Sequence, residues 1–404
     1  MKTPVIVGAA ECDLGVTNKS ILELQAQAVT RALADAGLKI SDVDGIATNA
    51  ISRFSASSLA DYLGIEPKFT DSTFAGGSSF EMYVARAYHA VASGQCNVVV
   101  ISFASNQRSA KSRSLGGVVE HHTPEAQFET AYGPLFPLSY YAMAAQRYVQ
   151  DVPNGRAALS EIAISAREWA LLNPKAYRYG SASLTVAELE SADMISSPLR
   201  ASDCCLVTDG GGAIIITNSE IARNLKSKPV SILGFGESTT NTSMTTHRDL
   251  RVTGAKQSGD LAFAMAGVSR SDIDVVELYD SFTITTLLSL EGLGFAGKGE
   301  GADFVLDGKT RPGGSFPLNT NGGGLSYCHP GQYGILLLIE AVRQLRGECG
   351  DRQVANAKLA VAHGTGGILS TNATVILGAN YCFHTYLRKM QSVRHFGQLP
   401  ESEN

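Results

Sequence analysis

Hydrophobic positions fall along the chain in two patterns, and each predicts a different element. Short unbroken apolar runs bounded by glycine or polar residues predict buried strands at 5–9, 97–102, 211–217, 275–278, 358–362 and 372–378. Between them apolar residues recur at helical spacing, as in Leu22, Leu24, Ala28, Val29, Ala32 and Leu33, a helix over 20–36 that stops at Gly37. Strands alternating with helices predict the α/β class.

The pattern occurs twice. Residues 32–44 (ALADAGLKISDVD) align without gaps on 262–274 (AFAMAGVSRSDID). Both copies read as a helix end, a glycine stop, a Ser/Asp helix start and a strand. Each copy continues through a Gly-rich turn (76–78 and 322–324), a helix, a buried strand and a closing strand. The period is too long for a solenoid, so the expectation is an internal duplication, two similar α/β domains packed face to face. The first half takes 1–105 and 203–225, and the second takes 226–379. Residues 106–202 form a long insertion with its own helices (139–149, 159–172) and many aromatic residues, expected to be a binding or lid element. In the extension 380–404, Leu387, Met390, Val393 and Phe396 alternate with Arg388, Lys389 and Arg394. That spacing predicts an amphipathic helix packed on the body or on another subunit rather than on a membrane.

Composition narrows the function. The 404 residues exceed one small core, and a net charge of −5 argues against nucleic acid as the main partner. Seven cysteines without metal-type spacing suit reduced thiols in a cytoplasm and no metal site; the adjacent Cys204 and Cys205 match neither a redox nor a zinc motif. No apolar run approaches the roughly 20 residues needed to span a bilayer, and the N-terminus lacks a signal-peptide core. A cytoplasmic protein without a membrane span is expected. No phosphate-binding GxxxxGK[ST] stretch occurs, and Gly234-Phe-Gly-Glu is an incomplete dinucleotide fingerprint, which disfavours ATP and NAD chemistry.

Candidate chemistry lies at strand ends and Gly-rich turns. Tyr279 and Asp280 follow the 275–278 strand, where α/β sheets place their ligands. The alternative is a tyrosine closing the core and an aspartate capping the next helix. Histidines 329 and 363 stand in Gly-rich turns, where an imidazole can carry protons or hold an oxyanion, and the backbone at Gly322 and Gly323 can approach a ligand closely.

Several ordered stretches carry a resemblance: the start around Ala36-Gly37-Leu38 and Ser41-Asp42-Val43-Asp44-Gly45, then Asn173-Pro174-Lys175-Ala176-Tyr177 and Pro198-Leu199-Arg200. Asp209-Gly-Gly-Gly-Ala213, Val276-Glu-Leu-Tyr-Asp-Ser-Phe-Thr283, Asn319-Thr-Asn-Gly-Gly323, His329-Pro330 and Gln344-Leu-Arg-Gly347 complete it. Together they resemble the thiolase superfamily, nearest to its sterol-carrier-protein-type, lipid-transfer-protein-like members, over nearly the whole chain to about Gly378. The resemblance implies a five-layer αβαβα fold, a dimer, and an acyl-CoA substrate. The departures are informative. A thiolase needs a nucleophilic cysteine at the first Gly-rich helix start and a second one in the last Gly-rich turn. Here the first segment is Phe74-Ala-Gly-Gly-Ser78, and the second position aligns with His363 or its neighbours. Ser78 and Ser79 have no adjacent base in sequence.

The Tyr-Asp-x-Phe motif resembles that of homologues acting as retro-aldolases on steroid side-chain thioesters. That likeness implies a lyase: Tyr279 takes or relays the proton of a β-hydroxyl, the Cα–Cβ bond breaks, and His329 stabilises or protonates the enolate. His363 assists, Asn319 is retained from the family site, and Asp280 orients or caps. Tyr327 stands near the place of a second family tyrosine, displaced by two residues from His329. A phenol of ordinary pKa ~10 would need lowering by nearby donors to act as a base. The pocket is expected to lack thiols, and the reading requires the Tyr279 hydroxyl and the His329 ring to meet. No cofactor is expected beyond the coenzyme A of the substrate, and a small OB-fold/zinc-ribbon protein is an expected partner. The alternatives are a thiolase or acyltransferase with unusual residues, or a non-catalytic acyl-CoA- or lipid-binding scaffold.

Overall fold

The computed structural model describes residues 3–112, 121–241 and 243–379; the expected tail helix lies outside them. The first half runs β1 (Pro4–Glu11), α1 (Ile21–Ala36), β2 (Gly45–Ala47), α2 (Ser55–Leu63), β3 (Phe69–Asp71), α3 (Ser79–Ala92) and β4 (Val98–Ser105). Then come α4 (Gln107–Ala110), α5 (Leu138–Asp151), α6 (Gly155–Leu171), α7 (Val186–Ser191), a small ribbon of β5 (Met194–Ser196) and β6 (Leu199–Arg200), β7 (Gly210–Asn218) and α8 (Ser219–Ala222). The second half runs β8 (Val230–Thr239), α9 (Ala255–Ala266), β9 (Val275–Leu278), α10 (Thr283–Leu293), α11 (Gly301–Val305), α12 (Gly334–Arg346), β10 (Leu359–Gly366) and β11 (Thr371–Ala379).

Nine strands form one mixed sheet in the order β3-β2-β4-β7-β1-β8-β11-β10-β9. The two halves mirror each other about the β1–β8 seam, which is only two pairs long, Val5 with Ser231 and Ile6 with Val230. β8, β11, β10 and β9 repeat β1, β7, β4 and β2. The counterpart of β3 shrinks to one bridge between Val276 and Leu318. Helices α3 and α12 pack against strands of both halves and form the central layer. α1 and α2 cover the outer face of the first half-sheet, and α9 with α10 covers that of the second. The thiolase-like layering is therefore present.

The repeat has a physical basis at each seam between helix and sheet. α1 begins with a Ser20–Glu23 capping box and ends at left-handed Gly37, as α9 ends at left-handed Gly267. A methyl group at Gly8 in β1 would lie 2.2 Å from the Ala32 carbonyl, and one at Gly234 in β8 would lie 2.1 Å from the Ala262 carbonyl. Ala32 and Ala262 are aligned positions of the duplicated segment. Both halves therefore use a strand glycine to seat the helix directly on the backbone. The predicted Ser/Asp helix starts are single 3₁₀ turns, Ile40–Asp42 and Arg270–Asp272.

The insertion belongs to the first half in sequence but packs on the second. α5 and α6 bury Tyr140, Tyr148, Leu159 and Ile162 in the same cluster as Leu287, Leu290 and Val361. This arrangement brings α5 alongside the start of α10, next to the Tyr279 strand end.

Candidate active site

β9 alternates: Val275 and Tyr279 face the central layer, whereas Val276 and Leu278 face the outer one. Tyr279 is thus delivered inward at the strand's end. Its ring lies on Gly77, where a methyl group would come within 1.7 Å of Cε1. Its main-chain N–H donates to the His363 carbonyl at 3.0 Å. The phenol oxygen meets His329 Nε2 at 2.9 Å and lies 3.4 Å from the Gly331 carbonyl. The hydroxyl and the imidazole, 50 residues apart in the chain, therefore touch.

The His329 backbone is fixed by a two-way clasp. Its N–H donates to Thr208 Oγ1 at 3.0 Å, and its carbonyl accepts from the Thr208 N–H at 3.2 Å. The ring stacks on Tyr333, with centroids 6.2 Å apart and planes 17° from parallel. Tyr333 in turn donates to Asn321 Oδ1 at 2.8 Å. Burial lowers the His329 pKa to about 4, so the imidazole is neutral near pH 7.

The lowering that the phenol would need to act as a base does not occur. Burial, followed by the charge that Cys205 and Tyr141 would carry, pushes Tyr279 well above its ordinary value. It therefore rests protonated. The expectation of a thiol-free pocket also needs correcting, because Cys205 stands near Tyr279, and Cys328 precedes His329 with its thiol 3.2 Å from Thr208 Oγ1. Burial raises both thiols, Cys328 to about 12, so neither is a thiolate at neutral pH.

The remaining predicted residues surround this pair at different removes. Asn319, at φ 51°, accepts the Leu278 N–H on Oδ1 at 2.7 Å and anchors its loop to β9. Asp280 does not cap α10, whose N-cap is Phe282. It accepts the N–H groups of Gly324 at 2.6 Å and Leu325 at 3.2 Å, which orients the Gly-rich turn leading to His329. Burial still pushes its acid up to about 7. The open faces of Gly322 and Gly323 are filled by protein: methyl groups there would lie 2.7 Å from Ala170 Cβ and 2.0 Å from Asp280 Oδ2.

Tyr327 points into another network, donating to Glu11 Oε1 at 3.0 Å. Burial would raise that carboxyl, but Arg343 and Lys175 more than offset it and hold Glu11 below the usual range. His363 lies on the outer face of β10, and its Nδ1 pairs with Thr374 Oγ1 at 2.8 Å. Ser78 bonds the Ala75 carbonyl and Thr371 Oγ1, both at 2.8 Å.

Sequence reasoning missed three contributors. Tyr141 stacks on Phe282 (4.5 Å, 30°) and donates to the Gly367 carbonyl at 2.9 Å; Cys205 and Tyr333 are the other two. The doubled Tyr140-Tyr141 and Cys204-Cys205 were visible signals without a place to put them. Two cavities lie in this half of the protein, the smaller of which shares Cys205 with the surroundings of Tyr279. One of about 170 Å³ is lined by Cys205, Leu325, Ser326, Arg167 and Arg178. A larger, mostly apolar one of about 520 Å³ lies along α5, between Tyr132, Tyr140, Ala142, Met143, Met244 and Leu250.

A duplicated α/β body with a polar pair buried at the end of β9 defines a thiolase-like protein. Comparison with known proteins agrees. The family described as "Thiolase C-terminal domain-like" matches residues 236–379. The chain is 36% identical to a 17-hydroxy-3-oxo-4-pregnene-20-carboxyl-CoA lyase of Mycobacterium tuberculosis, over 89% of this chain and 96% of the relative. It is 35% identical to a steroid side-chain-cleaving aldolase of Thermomonospora curvata, over 93% and 97% of the two chains. Among solved structures it superposes on the Ltp2-ChsH2(DUF35) aldolase with a TM-score of 0.85 at 31% identity, over 94% and 98% of the chains. The chain belongs to the thiolase superfamily, as a sterol-carrier-protein-type thiolase-like member.

Proposed function

We propose that this protein is a carbon–carbon lyase that cleaves a β-hydroxyacyl-CoA thioester by a retro-aldol reaction, with a steroid side chain as the acyl group. The observation that carries the reading is the 2.9 Å contact between the Tyr279 hydroxyl and His329 Nε2. A protonated phenol against a neutral imidazole is a relay. The substrate's β-hydroxyl proton passes to the Tyr279 oxygen as the phenol's own proton passes to His329. The Cα–Cβ bond then breaks, Cβ leaves as a ketone or aldehyde, and its electrons enter the thioester enolate. The new imidazolium returns its proton through the same phenol to Cα. The proton balance closes on these two side chains, so the reaction calls for no cofactor beyond the coenzyme A of the substrate.

Asn319 and Asp280 hold the strand end and the turn in place. On this reading Tyr327 and His363 are structural. The apolar cavity along α5 has the size range of small-ligand pockets and suits the ring body, while Arg167 and Arg178 suit the phosphates of coenzyme A. The names of the similar lyase and aldolase support the substrate class.

The name of the superposed structure pairs two components, which supports a partner protein for this chain; a small OB-fold/zinc-ribbon protein is the finer part of this proposal. A homodimer joined through the edge strand β3 belongs to the same proposal; Phe54 and Phe74 of this half are large exposed apolar side chains. Among the described residues no helix is long and apolar enough to cross a membrane; the unpaired cysteines there suit a cytoplasm. The test is incubation with a steroid β-hydroxyacyl-CoA, with and without free coenzyme A. Release of a ketone without added coenzyme A supports the lyase. Cleavage that requires it would instead indicate a thiolase, and no cleavage even with the partner present would indicate a scaffold.

A further inference from the structure

The central layer holds an ionisable group that this reaction does not use. Glu81, in the first turn of α3, is 1% exposed, and neither carboxyl oxygen has a hydrogen-bond partner among the described residues. Glycines make room for it. A methyl group at Gly364 would lie 2.2 Å from Oε2; one at Gly334 would lie 2.6 Å from Oε2 and 2.2 Å from the Gly77 carbonyl oxygen. The carboxyl is thus wedged where the start of α3, the start of α12 and the end of β10 meet. Two of these pieces bear on Tyr279: its ring lies on Gly77, and its N–H is held by His363, the neighbour of Gly364.

We propose that Glu81 is a positioning residue for Tyr279, its uncharged carboxyl keying α3, α12 and β10 together so that Gly77 stays seated beneath the phenol ring. The proposal rests on the lyase reading for the role of Tyr279 but not for the state of Glu81.

A carboxylate in this slot would face the Gly77 carbonyl with, among the described residues, no cation turned to it and only its own main-chain N–H to favour the charge. On α3 itself Arg86 is engaged by Asp71 of β3 and Glu237 of β8, and His89 packs against Phe235. On α12, Arg343 is held by Glu11 of β1, Arg346 by Asp35 of α1, and Glu340 by Arg352. β2, β4, β7 and β11 carry no ionisable side chain, and His363 of β10 faces the other way. The phenols Tyr83, Tyr88, Tyr279 and Tyr333 supply no cation. Burial accordingly pushes the Glu81 acid from its ordinary 4.5 up to about 8. The unfolded chain loses this proton first. The group therefore weakens the fold progressively as pH rises from 4.5 to about 8, and the penalty is constant above that. Once charged, it pushes Gly77 and α12 apart.

The test compares the full chain with Glu81→Gln, which keeps shape and polarity but cannot ionise. The melting-temperature gain of E81Q over wild type should grow between about pH 5 and about pH 8 and then level off. Turnover of the two should agree within about twofold near neutrality. Above about pH 8 the wild type should lose about tenfold per pH unit, the slope of one ionisation, while E81Q holds its rate. The ¹⁵N signals of the His329 ring, identified by their loss in His329→Asn, should move with pH in wild type above about pH 8 and stay put in E81Q. Parallel melting curves at every pH would overturn the charge state. An alkaline limb or His329 titration that E81Q leaves in place would overturn the positioning role. If no β-hydroxyacyl-CoA is cleaved at any pH, the lyase reading fails, and the melting and ring signals still decide for Glu81.

Discussion

Replacing Tyr279 with phenylalanine removes one oxygen atom and leaves the scaffold that holds the ring. The ring still lies on Gly77, still packs 5.8 Å from Tyr333, and its main-chain N–H still bonds His363. Two things are lost: the path for the substrate's hydroxyl proton and the partner of His329 Nε2. An imidazole nitrogen left buried without a partner costs about 1–3 kcal/mol. For a chain of this size that lowers the melting temperature by only a few degrees. Loss of a general acid/base reduces turnover by roughly a hundredfold or more, equivalent to ~2.7 kcal/mol of barrier.

The two effects separate cleanly in the assay. Turnover is followed by ketone release from a saturating steroid thioester at a temperature where both proteins remain folded. Because the phenol acts on the reacting bond, kcat should fall with KM little changed. Near-normal kcat in Tyr279→Phe would remove the phenol from the reaction and with it the relay. A rise in KM alone would make Tyr279 a binding residue instead.

His329 makes a pH prediction. Its pKa is lowered from 6.5 to about 4 by burial, so between those values the unfolded chain binds a proton that the folded chain does not. Stability should therefore fall as pH drops from 6.5 to about 4. His363 is depressed over the same window, so His329→Asn should remove only part of the slope in urea titrations; an unchanged slope would contradict the buried neutral imidazole. Gly77→Ala would place its methyl group against Tyr279 Cε1 and cost about 1–3 kcal/mol as the ring moves. Turnover should fall as in Tyr279→Phe with unchanged circular dichroism, and wild-type turnover would mean that Gly77 does not set the ring. Met143→Trp, at an exposed position lining the cavity along α5, should narrow it and raise KM for a ring-bearing thioester by roughly tenfold or more, the equivalent of ~1.4 kcal/mol of lost contact. A short-chain β-hydroxyacyl-CoA should be unaffected, and equal effects on both substrates would place the ring body elsewhere.

Much of this fold is written in local pattern, and much of the site is not. The duplication was legible because each copy repeats its own stop signals, Gly37 and Gly267, over aligned alanines. Tyr279 was legible because a strand end is a local feature. The face on which a side chain emerges is not local. β10 pairs in register with β9, His363 opposite Leu278, and Leu278 points away from the central layer. His363 therefore points away too, although its turn resembles that of His329. Tyr141, Cys205 and Tyr333 reach the phenol from the insertion, from the segment before β7 and from the start of α12. No spacing rule links those stretches.

The direction of the phenol's shift was hidden for the same reason. Motif logic asked for donors that would lower it, whereas burial by three distant segments raises it. A raised phenol cannot serve as a free base, and it becomes useful only by handing its proton on as it accepts another. The 2.9 Å contact with an imidazole held neutral by burial supplies that outlet. The chemistry thus belongs to the pair: Tyr279 without His329 would be a core tyrosine, and His329 without Tyr279 a buried base with no proton to move.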